Sequence, residues 1–188
     1  MHLQEEQYRI TIKCSRRLTV AADFCVIHRR MMRKPGLDYY SQIFRLLDRA
    51  FAPSGYESIL VKNLRDNLKI SFDFYIEEQG RVLAYVCYTT AYDTERTKIG
   101  YHLAPVAVLP EKQGQGFGHK ILSESLKTIG NSLPVYVLGD PNYYSRFGFK
   151  KDRTQKCSFA PSGDHFMVIS RGGPLPARDV GYEEEFMG

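Results

Sequence analysis

Apolar positions change their period several times along the chain, and the changes mark out its elements. Tyr8 to Lys13 alternates within a polar opening, and residues 1–23 read as an N-terminal extension, a short strand or disordered. Phe24 to Arg29 reads as a first strand, followed by a turn at Pro35-Gly36. Asp38 is placed to cap a helix in which Tyr40, Ile43, Phe44, Leu47 and Phe51 keep the helical period. Pro53-Ser54-Gly55 breaks that helix, and Leu60, Leu64 and Leu68 form one stripe of a second. Phe72, Phe74 and Ile76 then alternate, Glu78-Gln79-Gly80 turns, and Val82 to Tyr88 returns as a hairpin partner. A polar loop, Ala91 to Thr97, leads to a strand over Gly100 to Leu109. Phe117, Ile121, Leu122, Leu126 and Ile129 predict an amphipathic helix, and Pro134 to Leu138 a buried strand. Gly139-Asp140-Pro141 opens a short helix that carries Tyr143 and Tyr144 and ends at Gly148. Cys157 to Phe159 and Phe166 to Ser170 are placed as the last two strands of the sheet. Gly173 to Gly188, proline-rich and then acidic at Glu183-Glu184-Glu185, reads as a solvated C-terminal tail. The order β-α-α-β-β-β-α-β-α-β-β implies an α/β (α+β) fold, with a mixed sheet and helices on both faces.

Between the strand carrying Val106 and Val108 and the following helix lies Gln113-Gly114-Gln115-Gly116-Phe117-Gly118-His119. Alternating glycines let backbone amides approach a ligand without a Cβ in the way. The helix that follows offers unpaired N–H groups and the positive end of its dipole, a combination suited to pyrophosphate. A dinucleotide fingerprint beginning at Gly114 needs glycine where His119 stands, and a P-loop needs a Gly-Lys-Ser/Thr run that Gly118-His119-Lys120-Ile121 lacks. Gln113, Gly116 and Gly118 do fit Q-x-x-G-x-G, and here the sequence resembles the GNAT superfamily of acetyl-CoA-dependent N-acetyltransferases. A second likeness is Tyr144, four residues ahead of Gly148-Phe149, where many small GNAT proteins carry a tyrosine. The resemblance covers about Phe24 to Arg171 and assigns residues 24–172 to one GNAT domain, with a mostly antiparallel central sheet.

Composition narrows the setting. With 188 residues, 43% of them hydrophobic, the chain has room for one well-cored domain. Cys14, Cys25, Cys87 and Cys157 lie far apart without a C-x-x-C, so neither zinc nor a disulfide framework is signalled, and a reduced, cytoplasmic setting is expected. The opening MHLQEEQYRI is too polar for a signal peptide, and no run approaches the ~20 apolar residues of a membrane span. A net charge of +5 suits an anionic ligand. It also suits nucleic acid, but no motif or basic-aromatic face accompanies it, so nucleic acid is not the expected partner. The expected assembly is a monomer or homodimer.

The resemblance implies acetyl-CoA as cosubstrate, no metal, and a primary amine as acceptor: a small amine, an amino sugar, a polyamine or a protein amino group. It places Val106 and Val108 along the pantetheine arm by backbone pairing, and residues Gln113 to His119 at the phosphates. Amine attack on a thioester requires a base, an oxyanion stabiliser and an acid for the leaving thiolate. Tyr144 is the candidate general acid, since a phenol with a pKa of about 10 matches a thiolate, or else an aromatic wall of the same site. His102, on the strand before the glycine turn, and Glu57, at the start of the second helix, are the candidate bases. Each has an ordinary structural reading: His102 as a core residue, Glu57 as a first-turn acid favoured by the dipole. Strand alternation puts His102, Ala104 and Val106 on one face unless a bulge intervenes. The cysteines offer no nucleophile beside a partnered histidine, which favours direct transfer over an acyl-enzyme. The rival reading is an acyl-CoA sensor that keeps the cradle without turnover.

Overall fold

A computed structural model describes residues 35–170 and 172–187. The strand expected over Phe24 to Arg29 and the extension over residues 1–23 lie outside the described residues. Helix α1 (Leu37–Ala50) buries Tyr40, Ile43, Leu46 and Leu47. Gly36 stands at its cap without a side-chain bond, so the expected capping role of Asp38 does not hold; Asp38 sits in the first turn, where its charge meets the dipole. Helix α2 (Tyr56–Asp66) buries Leu60, Val61 and Leu64 but ends before Leu68. Leu68 has a positive φ of 57° and is exposed, which corrects its place on the helical stripe.

Strands β1 (Ile70–Glu78) and β2 (Arg81–Tyr92) form the expected hairpin, closed by Gln79 and Gly80, both at positive φ. Two consecutive positive φ values define the turn that matches strand twist. The polar loop is shorter than its composition suggests, because Ala91 is a buried residue of β2. Strand β3 (Lys98–Val108) pairs antiparallel with β2, and β4 (Val135–Leu138) runs parallel to β3. Helix α3 (Phe117–Thr128) joins them, and short α4 (Pro141–Tyr144) follows β4. The remaining strands are β5 (Gln155–Cys157), β6 (Phe166–Ile169) and β7 (Arg178–Val180).

The main sheet has the order β1-β2-β3-β4-β6, antiparallel except for β3 and β4. It is the expected mixed, mostly antiparallel sheet. α3 covers one face, where Ile121, Leu122 and Leu126 join Val86, Leu103 and Val137. A buried contact of 2.7 Å between the Tyr88 and Ser125 hydroxyls ties that helix to β2. α1 and α2 cover the other face through Ile43, Leu47 and Val61, against Leu83, Tyr85 and Ala107. β6 closes the sheet as expected, but β5 does not. It pairs with β7 in a separate two-stranded ribbon.

That ribbon corrects the reading of the tail. Gly181 exchanges backbone hydrogen bonds with Tyr92 at 2.8 and 2.9 Å, and Val180, Tyr182, Glu183 and Phe186 are all buried. Glu183 keeps its charge out of water because it accepts from the Tyr92 hydroxyl at 2.8 Å and pairs with Lys69 Nζ at 3.3 Å. Glu183 is thus taken out of solvent by its partners, while Glu184 beside it stays exposed.

Candidate active site

The centre of the site is an irregularity in β3. Val106 lies opposite Val86 and Leu103 opposite Tyr88, so Ala104 and Pro105 together face Cys87 alone. Two residues against one is a β-bulge, and it reverses which side chains face which side. His102 and Ala104 point toward the α2 face, whereas Val106 packs with Leu103 under α3. The expected common face for His102, Ala104 and Val106 is therefore corrected.

Pairing of β3 with β4 extends from Tyr101 to Leu103 and goes no further, while β3 continues to Val108. The edge beyond is open on the β4 side. Leu109 N–H donates to Leu83 O at 2.9 Å, so by strand alternation the amides of Val106 and Val108 turn toward the open edge. Gln113 Nε2 reaches back to Val108 O at 3.2 Å and fixes the glycine turn against this edge.

The turn takes the form its glycines require. Gly114 and Gly116 have φ of 76° and 87°, and Gly116 is the left-handed residue that opens α3 without a side-chain cap. A Cβ at Gly118 would stand 2.8 Å from Tyr143 Oη, so any other residue has to displace that hydroxyl. Upstream, Arg49 and Arg81 both bind Glu111 and hold the turn Pro110–Lys112. The backbone amide of Glu111 and those two guanidiniums hold its carboxyl at about 2. One pocket is lined by Val106 to Val108, Gln113, Gly114, Gly116, Gly118 and His119, together with Lys112, Tyr143 and Arg146. Gln115 and Phe117 are not on its wall; Gln115 Nε2 donates instead to Glu111 O at 2.9 Å. Lys112 and Arg146 carried no motif, and their part in the pocket emerges only from folding.

Tyr144 is fully buried against Gly139 and Phe149, and its hydroxyl has no hydrogen-bond partner among the described residues. Burial pushes its pKa well up.

A second pocket lies on the other side of the bulge, lined by Tyr56, Glu57, Leu60, His102, Ala104, Pro105, Leu138, Phe159, Tyr182 and Phe186. Both base candidates are on it. Glu57 is half-buried at the start of α2 and accepts from Ser54 Oγ at 2.8 Å. His102 is buried, its Nδ1 has no partner among the described residues, and its ring is stacked on Tyr182. Desolvation lowers its pKa to about 3, which weakens it as a candidate base. The aromatic walls from the C-terminal segment were missed in sequence; their one signal was Tyr182 and Phe186 standing four apart in an acidic stretch.

Tyr144 lines neither pocket, but the strand edge opened by the bulge and the glycine turn at a helix start share one, an arrangement suited to a phosphate-bearing ligand. Comparison with known proteins agrees. Residues 71–151 match the acetyltransferase (GNAT) domain family. The chain is 32% identical to the uncharacterized N-acetyltransferase YhbS of Escherichia coli K12 over 120 residues, 62% of this chain and 67% of that one. A GNAT family acetyltransferase from Brucella melitensis, solved in complex with acetyl-CoA, is 30% identical with a TM-score of 0.70, over 85% of this chain and 99% of that one. Escherichia coli YhbS in complex with CoA gives a TM-score of 0.77 at 26% identity, over 90% and 97%. The chain belongs to the GNAT family of acetyltransferases.

Proposed function

We propose that this protein transfers acetyl from acetyl-CoA directly to a primary amine. The observation that carries the reading is the single pocket that joins the open amides of Val106 and Val108 to the glycine turn and the start of α3. The strand amides are placed to pair with the amide-bearing arm of CoA as a further strand would. The turn and helix start suit the pyrophosphate, with Lys112 and Arg146 adding positive charge.

Transfer forms a bond from the amine nitrogen to the acetyl carbon and breaks the carbon–sulfur bond, and the sulfur leaves with the electron pair. Tyr144, which packs against the pocket residue Tyr143 with ring centroids 5.1 Å apart, is assigned to the leaving side. Its raised pKa keeps it protonated and makes outright proton release costly, so it acts first as a hydrogen-bond donor to developing negative charge. On the acceptor side, His102 is too weak a base to hold the amine's proton, whereas half-buried Glu57 can pass it toward solvent. Cys87 and Cys157 are buried, and burial pushes both thiols up, which favours direct transfer over an acyl-enzyme.

The test is CoA release from acetyl-CoA across a panel of amines, with calorimetric binding of CoA alongside. Turnover with at least one amine is expected. Tight binding of acetyl-CoA with no release for any amine class would make the protein a sensor.

A further inference from the structure

The acceptor side of the site has its own chemistry. The second pocket is narrow, with about 40 Å³ open to the centre of a water-sized sphere, so whatever it takes must be compact. Its wall is almost wholly apolar, and among the described residues lining it Glu57 alone is an acid. The walls are built to stay apolar. Tyr182 lies between Phe159 and His102, stacked on both, with centroids 5.5 and 3.4 Å away. Phe186 closes on His102 at 4.7 Å, and the Tyr56 hydroxyl is spent on Phe186 O at 3.2 Å.

Each class of amine meets this wall differently. A polyamine brings a second ammonium, which needs a second anionic partner or stays desolvated. An amino sugar brings several hydroxyls, and each one buried without a partner costs binding. An amine on a compact apolar body needs one polar exit for its nitrogen and gains from every surface it covers.

We propose that the acceptor is a small primary amine on a compact apolar or aromatic body, selected by the walls that Tyr182, Phe186 and Phe159 form opposite Leu60, with Glu57 meeting the amino group at the mouth. This rests on the acetyltransfer reading above and names its substrate class. The C-terminal segment is thereby a specificity element, held over the pocket by the Gly181 pairing to β2 and the buried Glu183. Phenethylamine is the simplest probe.

The experiment measures kcat/KM by CoA release for phenethylamine, spermidine, glucosamine and a short lysine peptide. We expect phenethylamine to exceed the other three by at least tenfold. Phe186→Ser should lower its kcat/KM at least tenfold, mostly through KM, with CoA affinity unchanged. Should Phe186→Ser unfold, half-buried Phe159→Ser tests the same wall, with a several-fold rise in KM expected. Equal or better turnover of spermidine, glucosamine or the peptide overturns the substrate class and leaves acetyl transfer standing. So does an unchanged KM in a folded wall variant. No CoA release with any of the four, while CoA still binds, overturns acetyl transfer to amines and this inference with it. A preference for longer acyl-CoA donors that is lost in Phe159→Ser would assign the pocket to the acyl chain instead.

Discussion

The imidazole of His102 lies flat on the phenol of Tyr182, with ring centroids 3.4 Å apart and planes 3° from parallel. Both rings are buried, and the stack joins the middle of β3 to a segment whose composition resembles a solvated tail. An imidazole closed in this way has lost the water that would stabilise its cation.

This gives His102 a signature in folding rather than in catalysis. In the fold it stays neutral down to about pH 3, while in the unfolded chain it takes a proton near 6.5. Between those values the unfolded state holds the extra proton. The stability contributed by neutral His102 is therefore present above about pH 6.5 and drains as pH falls, by up to about 1.4 kcal/mol per pH unit. Urea midpoints measured from pH 7.5 to 4.5 should decline less steeply in His102→Gln than in the parent. The kcat/KM profile should show no limb between pH 6 and 8 that vanishes in the variant.

Tyr144→Phe removes a hydroxyl that has no partner among the described residues. Its ligand-free stability should hold or rise by about 1 kcal/mol, because an unsatisfied buried group is lost. Turnover should fall about 10²-fold while CoA affinity stays within a few-fold, as for removal of one donor to developing charge. Thermal unfolding and steady-state kinetics on one preparation check both halves. A loss of affinity with no separate loss of rate would make Tyr144 a wall.

At Gly116, geometry and charge can be separated. With φ at 87°, any side chain is strained, although nothing lies within 4 Å of a Cβ. Asn and Asp tolerate that conformation about equally and differ in charge. Gly116→Asp should weaken CoA at least tenfold relative to Gly116→Asn, or about 1.4 kcal/mol. Calorimetry on the two variants gives the difference directly. Equal affinities would remove the phosphates from this turn.

Glu183→Ala should loosen the C-terminal segment. It strips the Tyr92 hydroxyl and the Lys69 ammonium of a partner that is itself 2% exposed. A cost of about 2 kcal/mol is expected, in the range for hydrogen bonds to a charged group. Urea unfolding measures it, and amide exchange should accelerate at Gly181 and Tyr182 first.

The parts of the site that were legible in the sequence are those fixed locally. Gly114, Gly116 and Gly118 announce a turn because backbone conformation and close approach demand glycine there, whatever the rest of the chain does. The order of elements along the chain was legible because period changes survive in the hairpin and in α3. The bulge at Ala104 and Pro105 was not. From His102 to Ala107 nearly every residue is buried, so no apolar–polar contrast shows where the alternation slips. Glu183 was misread for a different reason. A carboxylate looks solvated until its partners are known, and Lys69, Tyr92 and Arg96 come from distant parts of the chain. The closing-off of His102 was hidden on the same ground, since no local feature reveals that Tyr182 and Phe186 will pack over it.

The slip in β3 gives the strand two independent halves. Upstream, His102 and Ala104 line the second pocket, proposed for the acceptor; downstream, Val106 to Val108 line the first, proposed for the donor. Because the phase changes between them, a side-chain substitution in one half does not point at the other half's ligand. A protein built this way can exchange one amine for another over generations while its grip on the acetyl carrier goes untouched. Removing a single residue at the slip would restore the phase, turn both halves at once, and cost it the two substrates together.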